Sequence, residues 1–148
     1  MKSSGDAGWL LDVNIWIALT SDRHEHHALA RDWFDSVSRR VWFCRVTQMS
    51  FLRLLTNPKV MGDEVLTPRH ALTIYREFRD DERVQFAAEP ARLERTWTDL
   101  MMTTSAASGS AWTDAYLAAF ALESQAQLVS LDQGIRRWPA PRLILEHS

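Results

Sequence analysis

Apolar residues are spaced along this chain in two ways. Short, nearly unbroken runs (Trp9-Leu10-Leu11, Val41-Trp42-Phe43-Cys44, Gln127 to Asp132 and Leu143-Ile144-Leu145) read as buried strands, with Val84-Gln85-Phe86 as a further short one. Between them the apolar positions recur every three or four residues: Ala28, Leu29, Trp33, Phe34 and Val37, then Met49, Phe51, Leu52, Leu54 and Leu55. The same spacing returns at Ala71, Leu72, Ile74, Tyr75 and Phe78, at Leu93, Trp97, Leu100 and Met101, and at Tyr116, Leu117, Ala119, Phe120 and Leu122. Each set predicts an amphipathic helix. Another helix, buried all round, follows the first strand at once through Val13 to Leu19. Helices alternating with apolar strands predict an α/β domain with a central parallel sheet flanked by helices.

Polar punctuation sets the expected boundaries. Thr20-Ser21-Asp22-Arg23 reads as a loop, and Arg39-Arg40 as the cationic end of the second helix. Thr47 is the predicted N-cap of the third helix, which Asn57-Pro58 stops. Residues 59–67 read as a loop, Pro68 opens the next helix, and a further helix runs from about Pro90 to Met102. The small, polar stretch from Thr103 to Ser110 is a loop, and Gly134, Trp138, Pro139 and Pro141 mark a turn. No repeat interrupts the pattern, so one domain over residues 1–148 is expected, with residues 1–8 a flexible polar lead-in.

Composition adds three restrictions. A net charge of −2 gives no general attraction to nucleic acid, so such a partner needs a local basic patch. Arg39, Arg40, Arg45, Arg136, Arg137 and Arg142 are candidates for it. The single cysteine, Cys44, excludes an internal disulfide. No run is long enough to span a membrane and no secretory signal opens the chain, so a cytoplasmic protein is expected. The seven tryptophans are read as core and interface anchors.

The candidate chemistry lies in three aspartates. Asp12 and Asp132 each close an apolar strand, and Asp114 falls in the first turn of a helix. In an open α/β sheet, ligands bind at the C-terminal ends of the strands. Three carboxylates brought together there would repel one another, and a hard divalent ion such as Mg²⁺ or Mn²⁺ would relieve that. Each aspartate also has a plain alternative, as a helix cap for Asp12, a first-turn carboxylate for Asp114 and a turn residue for Asp132. His24 and His27, spaced for one helix face, lack a third clustered ligand and read as solvated or capping residues, as does His26.

Four segments carry a family resemblance. Leu11-Asp12-Val13-Asn14, the stretch from Thr47 to Pro58, Thr113-Asp114-Ala115-Tyr116-Leu117-Ala118-Ala119 and Leu128-Val129-Ser130-Leu131-Asp132 resemble, in order, the motifs of a PIN domain. The resemblance is to the toxin component of a VapBC-type toxin–antitoxin pair. It implies a metal-dependent endoribonuclease acting on structured RNA such as transfer or ribosomal RNA, forming a homodimer and neutralised by a small antitoxin. By the same resemblance, Asp12, Asp114 and Asp132 are the acidic metal ligands, and Asn14 and Ser130 support them. The departure is Gln48, where a glutamate is usual. An amide supplies a neutral oxygen but no charge and no base. That keeps open a catalytically impaired PIN fold that binds RNA or a protein partner, or compensation by Glu64 or another acid. A different metal-dependent phosphohydrolase is the third reading. Arg53 is a candidate for a structural ion pair, the favoured role, or for a phosphate contact.

Overall fold

The computed structural model describes residues 8–147. Most of the expected lead-in, residues 1–7, lies outside them. Five short strands form one sheet: β1 (Trp9–Leu11), β2 (Val41–Phe43), β3 (Val84–Phe86), β4 (Gln127–Ser130) and β5 (Arg142–Ile144). Every pairing is parallel and the spatial order is β3-β2-β1-β4-β5. Seven α-helices flank it: α1 (Val13–Thr20), α2 (His27–Ser36), α3 (Arg45–Leu55), α4 (Pro58–Met61), α5 (Pro68–Arg79), α6 (Leu93–Met102) and α7 (Ala111–Ser124). The expected α/β architecture is therefore the one observed. Among the described residues no helix is long and apolar enough to cross a membrane.

The apolar runs are unbroken because both faces of the sheet are covered. Successive strand residues point to opposite sides, so Leu11, Phe43 and Val129 pack into one core, and Leu10 and Leu128 into the other. Trp16 lies at the centre of the first core, stacked on Phe43 at a centroid distance of 3.8 Å. Phe120 and Trp138 fill the second. Gly8 enters β1 with φ +127°, and a Cβ there would come within 2.7 Å of the Arg40 carbonyl oxygen. Only glycine lets β1 start this close to the end of the preceding connection.

Three predicted helix boundaries move. Helix α2 ends at Ser36, short of Arg39-Arg40, because Val37 is extended. Its last carbonyls are taken instead by a distant arginine, with Arg83 Nη1 donating to the Phe34 and Val37 oxygens. Thr47 is not the N-cap of α3: Cys44 is, since β2 runs almost directly into the helix. Thr47 sits three residues in, where its hydroxyl oxygen accepts from the Cys44 N–H at 2.9 Å. The stretch after Asn57-Pro58 is also more ordered than a loop. Asn57 caps α4 through the Lys59 N–H, and a 3₁₀ turn over Gly62–Glu64 follows. The helix expected from Pro90 begins at Leu93, and the turn after Asp132 is a 3₁₀ helix over Gln133–Arg137.

Candidate active site

Strands β1 and β4 are neighbours in register, Leu11 opposite Val129. Both end at the same edge of the sheet, which is why residues 120 apart in sequence meet there. Asp12 leaves β1 with its N–H still bonded to the Val129 carbonyl at 2.8 Å, and then caps α1 through Val13 N–H to Oδ1 at 2.7 Å. The helix-cap alternative for Asp12 is thus realised.

Asp12 is only 8% exposed. Ser130 Oγ donates to its Oδ2 at 2.8 Å, and Asn14 Nδ2 donates to Ser130 Oγ at 3.1 Å. Asn14 Oδ1 accepts from the Leu131 N–H at 3.2 Å, and Ser130 Oγ also accepts from the Asp132 N–H at 3.0 Å. Asn14 and Ser130 therefore tie the end of β4 to Asp12. Burial pushes the Asp12 carboxyl up to about 6, opposed by the bonds from Ser130 and Val13 and reinforced by the charges of Asp114 and Asp132. Asp114, half-buried in the first turn of α7, is also raised by burial; the bond to Ser110 opposes this, the Asp132 charge adds to it and Arg137 opposes it. Asp132 caps the 3₁₀ helix, its Oδ1 accepting from the Gly134 N–H at 2.8 Å.

The three aspartates line one cavity of about 230 Å³ with Asn14, and its far wall is α3, which presents Thr47, Ser50 and Arg53. Gln48 does not line it. Its amide oxygen accepts from Arg45 Nη1, one turn back on the exposed side of α3. The glutamine thus removes no group from the cavity. Glu64 does not compensate either, being engaged with Ser21 and Arg23. The ion pair expected of Arg53 is not formed among the described residues. Ser50 is a cavity residue on α3 that the sequence reading missed. Its signal is the i, i+3 spacing from Thr47, which puts both on one face of the helix, whereas Gln48 is turned away.

This donor set fits a hard divalent cation. It offers carboxylate and amide or hydroxyl oxygens, no thiolate or imidazole, and an excess of negative charge that neither arginine nor lysine neutralises by direct pairing. Among the described residues no three His, Cys, Asp or Glu side chains form a ready ligand group. Mg²⁺ does not require one, since it binds through one or two carboxylates and completes its shell with water and phosphate oxygens. The histidines act locally instead: His24 Nδ1 accepts from the His26 N–H, and His27 Nδ1 bonds the Ala18 carbonyl.

Comparison with known proteins bears on the family and the fold. The PIN domain family profile matches residues 9–140. Ribonuclease VapC41 of Mycobacterium tuberculosis is 43% identical over 135 residues, covering 87% of this chain and 92% of that protein. Ribonuclease VapC25 of the same organism is 29% identical over 145 residues, 92% of this chain and 96% of that protein. Among solved structures, M. tuberculosis VapC20, a Sarcin-Ricin loop cleaving toxin, superposes with a TM-score of 0.69 at 16% identity, over 89% of this chain and 95% of that one. VapBC2 from Rickettsia felis, solved on a DNA fragment from its promoter, gives 0.67 at 11% identity, over 94% and 99%. The two structures share the fold, and the family match together with the VapC41 likeness goes further: this chain belongs to the PIN-domain family, among its VapC-type members.

Proposed function

We propose that this chain is the toxin of a type II toxin–antitoxin pair, an endoribonuclease that uses Mg²⁺ or Mn²⁺ to hydrolyse phosphodiester bonds of structured RNA. The observation that carries the reading is the convergence of Asp12, Asp114 and Asp132 on one cavity at the C-terminal edge of the sheet. Asp12, Asp114 and Asp132 would hold the ion, which when bound supplies charge for the phosphate and activates water for attack at phosphorus. The chain's own part is positioning. Ser130 and Asn14 fix the Asp12 carboxylate, and the two strand ends hold Asp12 and Asp132 on a rigid edge. Burial keeps bulk water from Asp12, strengthening its hold on a cation.

Transfer or ribosomal RNA is the proposed substrate class. The ribonuclease names of the M. tuberculosis relatives support it, as does the RNA loop named for VapC20. A small antitoxin is the proposed partner, supported by the VapBC and FitAB assemblies that share the fold. A homodimer and a cytoplasmic location complete the reading. With Gln48 turned from the cavity, no structural observation favours the impaired alternative.

The test is cleavage of total transfer RNA and ribosomal RNA by antitoxin-free protein, in Mg²⁺, in Mn²⁺ and in EDTA, beside Asp12→Ala. Discrete products that need the metal and vanish in the variant are expected. Products that persist in EDTA, or in Asp12→Ala, would overturn the reading.

A further inference from the structure

The acid cavity has two unlike walls. One carries the three aspartates. The other is α3, where Thr47, Ser50 and Arg53 recur every third residue and share a helix face. Thr47 is spent on the helix itself: its hydroxyl accepts from the Cys44 N–H and donates to the Cys44 carbonyl, and it is buried. Ser50 and Arg53 have no such duty. Neither side chain makes a hydrogen bond or ion pair among the described residues, and Arg53 is an exposed residue that lines the cavity.

That sets Arg53 apart from arginines committed elsewhere. Arg23 holds Asp63 and Glu64, Arg31 holds Asp35, Arg83 holds Asp81, and Arg136 holds Glu146. Arg45 bonds Gln48 and lies over the Phe86 ring. An arginine that lines the same cavity as three carboxylates, yet pairs with none of them, leaves room between the two walls. An anion fits there beside the cation wall, and a cation beside the acid wall. A phosphodiester with its divalent ion has that composition, and a guanidinium offers two parallel N–H donors to phosphate oxygens.

We propose that Arg53 is a phosphate-binding residue, donating to a non-bridging oxygen of the phosphodiester that enters the acid cavity, with the Ser50 hydroxyl donating beside it. The proposal rests on the reading of this cavity as a site of phosphodiester hydrolysis. It also supplies, at one point, the local positive charge that an acidic chain needs to hold RNA. The rival role for Arg53 is helix stabilisation, since it lies in the last turn of α3, where a cation favours the helix dipole. That role would affect melting and leave phosphate affinity alone.

The experiment is calorimetric titration of the full chain with thymidine 3′,5′-bisphosphate in Ca²⁺, a probe that needs no cleavage. Wild type, Arg53→Gln, Arg53→Lys, Ser50→Ala and the control Arg76→Gln would be compared, each with its thermal melt. Arg53→Gln is expected to weaken binding by about tenfold or more with the fold intact, Arg53→Lys and Ser50→Ala by less, and Arg76→Gln not at all. Equal affinity in wild type and Arg53→Gln overturns the proposal, and so does the absence of any binding by wild type. Transfer-RNA cleavage by the same proteins separates the two readings. Bisphosphate binding that needs Arg53 without any RNA cleavage by wild type keeps the phosphate contact and sinks the ribonuclease. Cleavage unaffected by Arg53→Gln does the reverse.

Discussion

Asp12 and Asp81 are both aspartates beside the end of a secondary-structure element, and the fold treats them in opposite ways. Asp81 precedes β3 and is gripped by Arg83, whose Nη2 lies 2.8 Å from Oδ2 and whose Nε also donates to Oδ1. Its carboxyl is held below the ordinary carboxylate range, first by those bonds. Asp12 is buried with two more aspartates lining the same cavity and no cation bonded to it, and its carboxyl is raised. Arg83 does structural work, closing α2 and tying it to the segment before β3. At Asp12 the fold leaves charge unbalanced, which lowers the stability of the metal-free chain and leaves a place for a cation. A carboxylate that the fold neutralises is structural; one that it buries and leaves unneutralised is poised for a ligand.

Replacing Asp12 should break that comparison most sharply. Asp12→Asn keeps the shape but removes the charge, and RNA cleavage should fall by about a hundredfold or more, the scale of losing a catalytic metal ligand or its support. In EDTA at neutral pH the same variant should melt higher than wild type, by on the order of 1–3 kcal/mol, because the raised carboxyl represents an energetic cost of that size. A variant that loses activity and also melts lower would place Asp12 with the structural carboxylates.

Removing the cation from the other pair has the opposite sign. Arg83→Ala should lower stability by about 2 kcal/mol, since two α2 carbonyls and Asp81 lose their donor together. Cleavage at a temperature where the variant is folded should be unchanged, and a denaturant melt beside an activity assay checks both.

Acid separates the two carboxylates further. The folded Asp12 carboxyl titrates near 6 against an ordinary 3.8, so its destabilisation is complete above about 6 and is relieved as pH falls toward 3.8. Asp81 is lowered on folding; its stabilisation is complete above the ordinary value and is lost as pH falls below it. The metal-free chain should therefore gain stability between neutral pH and about pH 5, and Asp12→Asn should flatten that rise. Melts across pH in EDTA read this directly. The smallest effect is expected at Gln48, where Gln48→Glu should change cleavage by less than about twofold, because the side chain meets Arg45 outside the cavity. A large gain would show that a carboxylate at this position reaches the site.

The parallel sheet was readable from the chain because strands covered on both faces are mostly apolar, and those at Leu10-Leu11 and Leu128-Val129 are each followed within a few residues by an aspartate. The end of α2 was not, because its carbonyls are closed by Arg83, some fifty residues away, and no local residue announces it. Arg53 and Gln48 show the same limit at the site. Both were singled out by type and neighbourhood, yet only helix phase decides that one lines the cavity of the aspartates and the other bonds Arg45 outside it.

What the sequence determined by itself is the set of local choices: which runs are strands, which are helices, and that Asp12 and Asp132 close two of those strands. Local residue order is enough for that, because periodicity and strand ends are properties of neighbouring residues. The tertiary structure alone decided that β1 and β4 lie side by side, so that Ser130 bonds Asp12, and that α3 lines the cavity with Ser50 and Arg53. Those outcomes depend on pairing and packing between distant segments, and on the burial that raises Asp12. None of these exists until the chain has closed on itself.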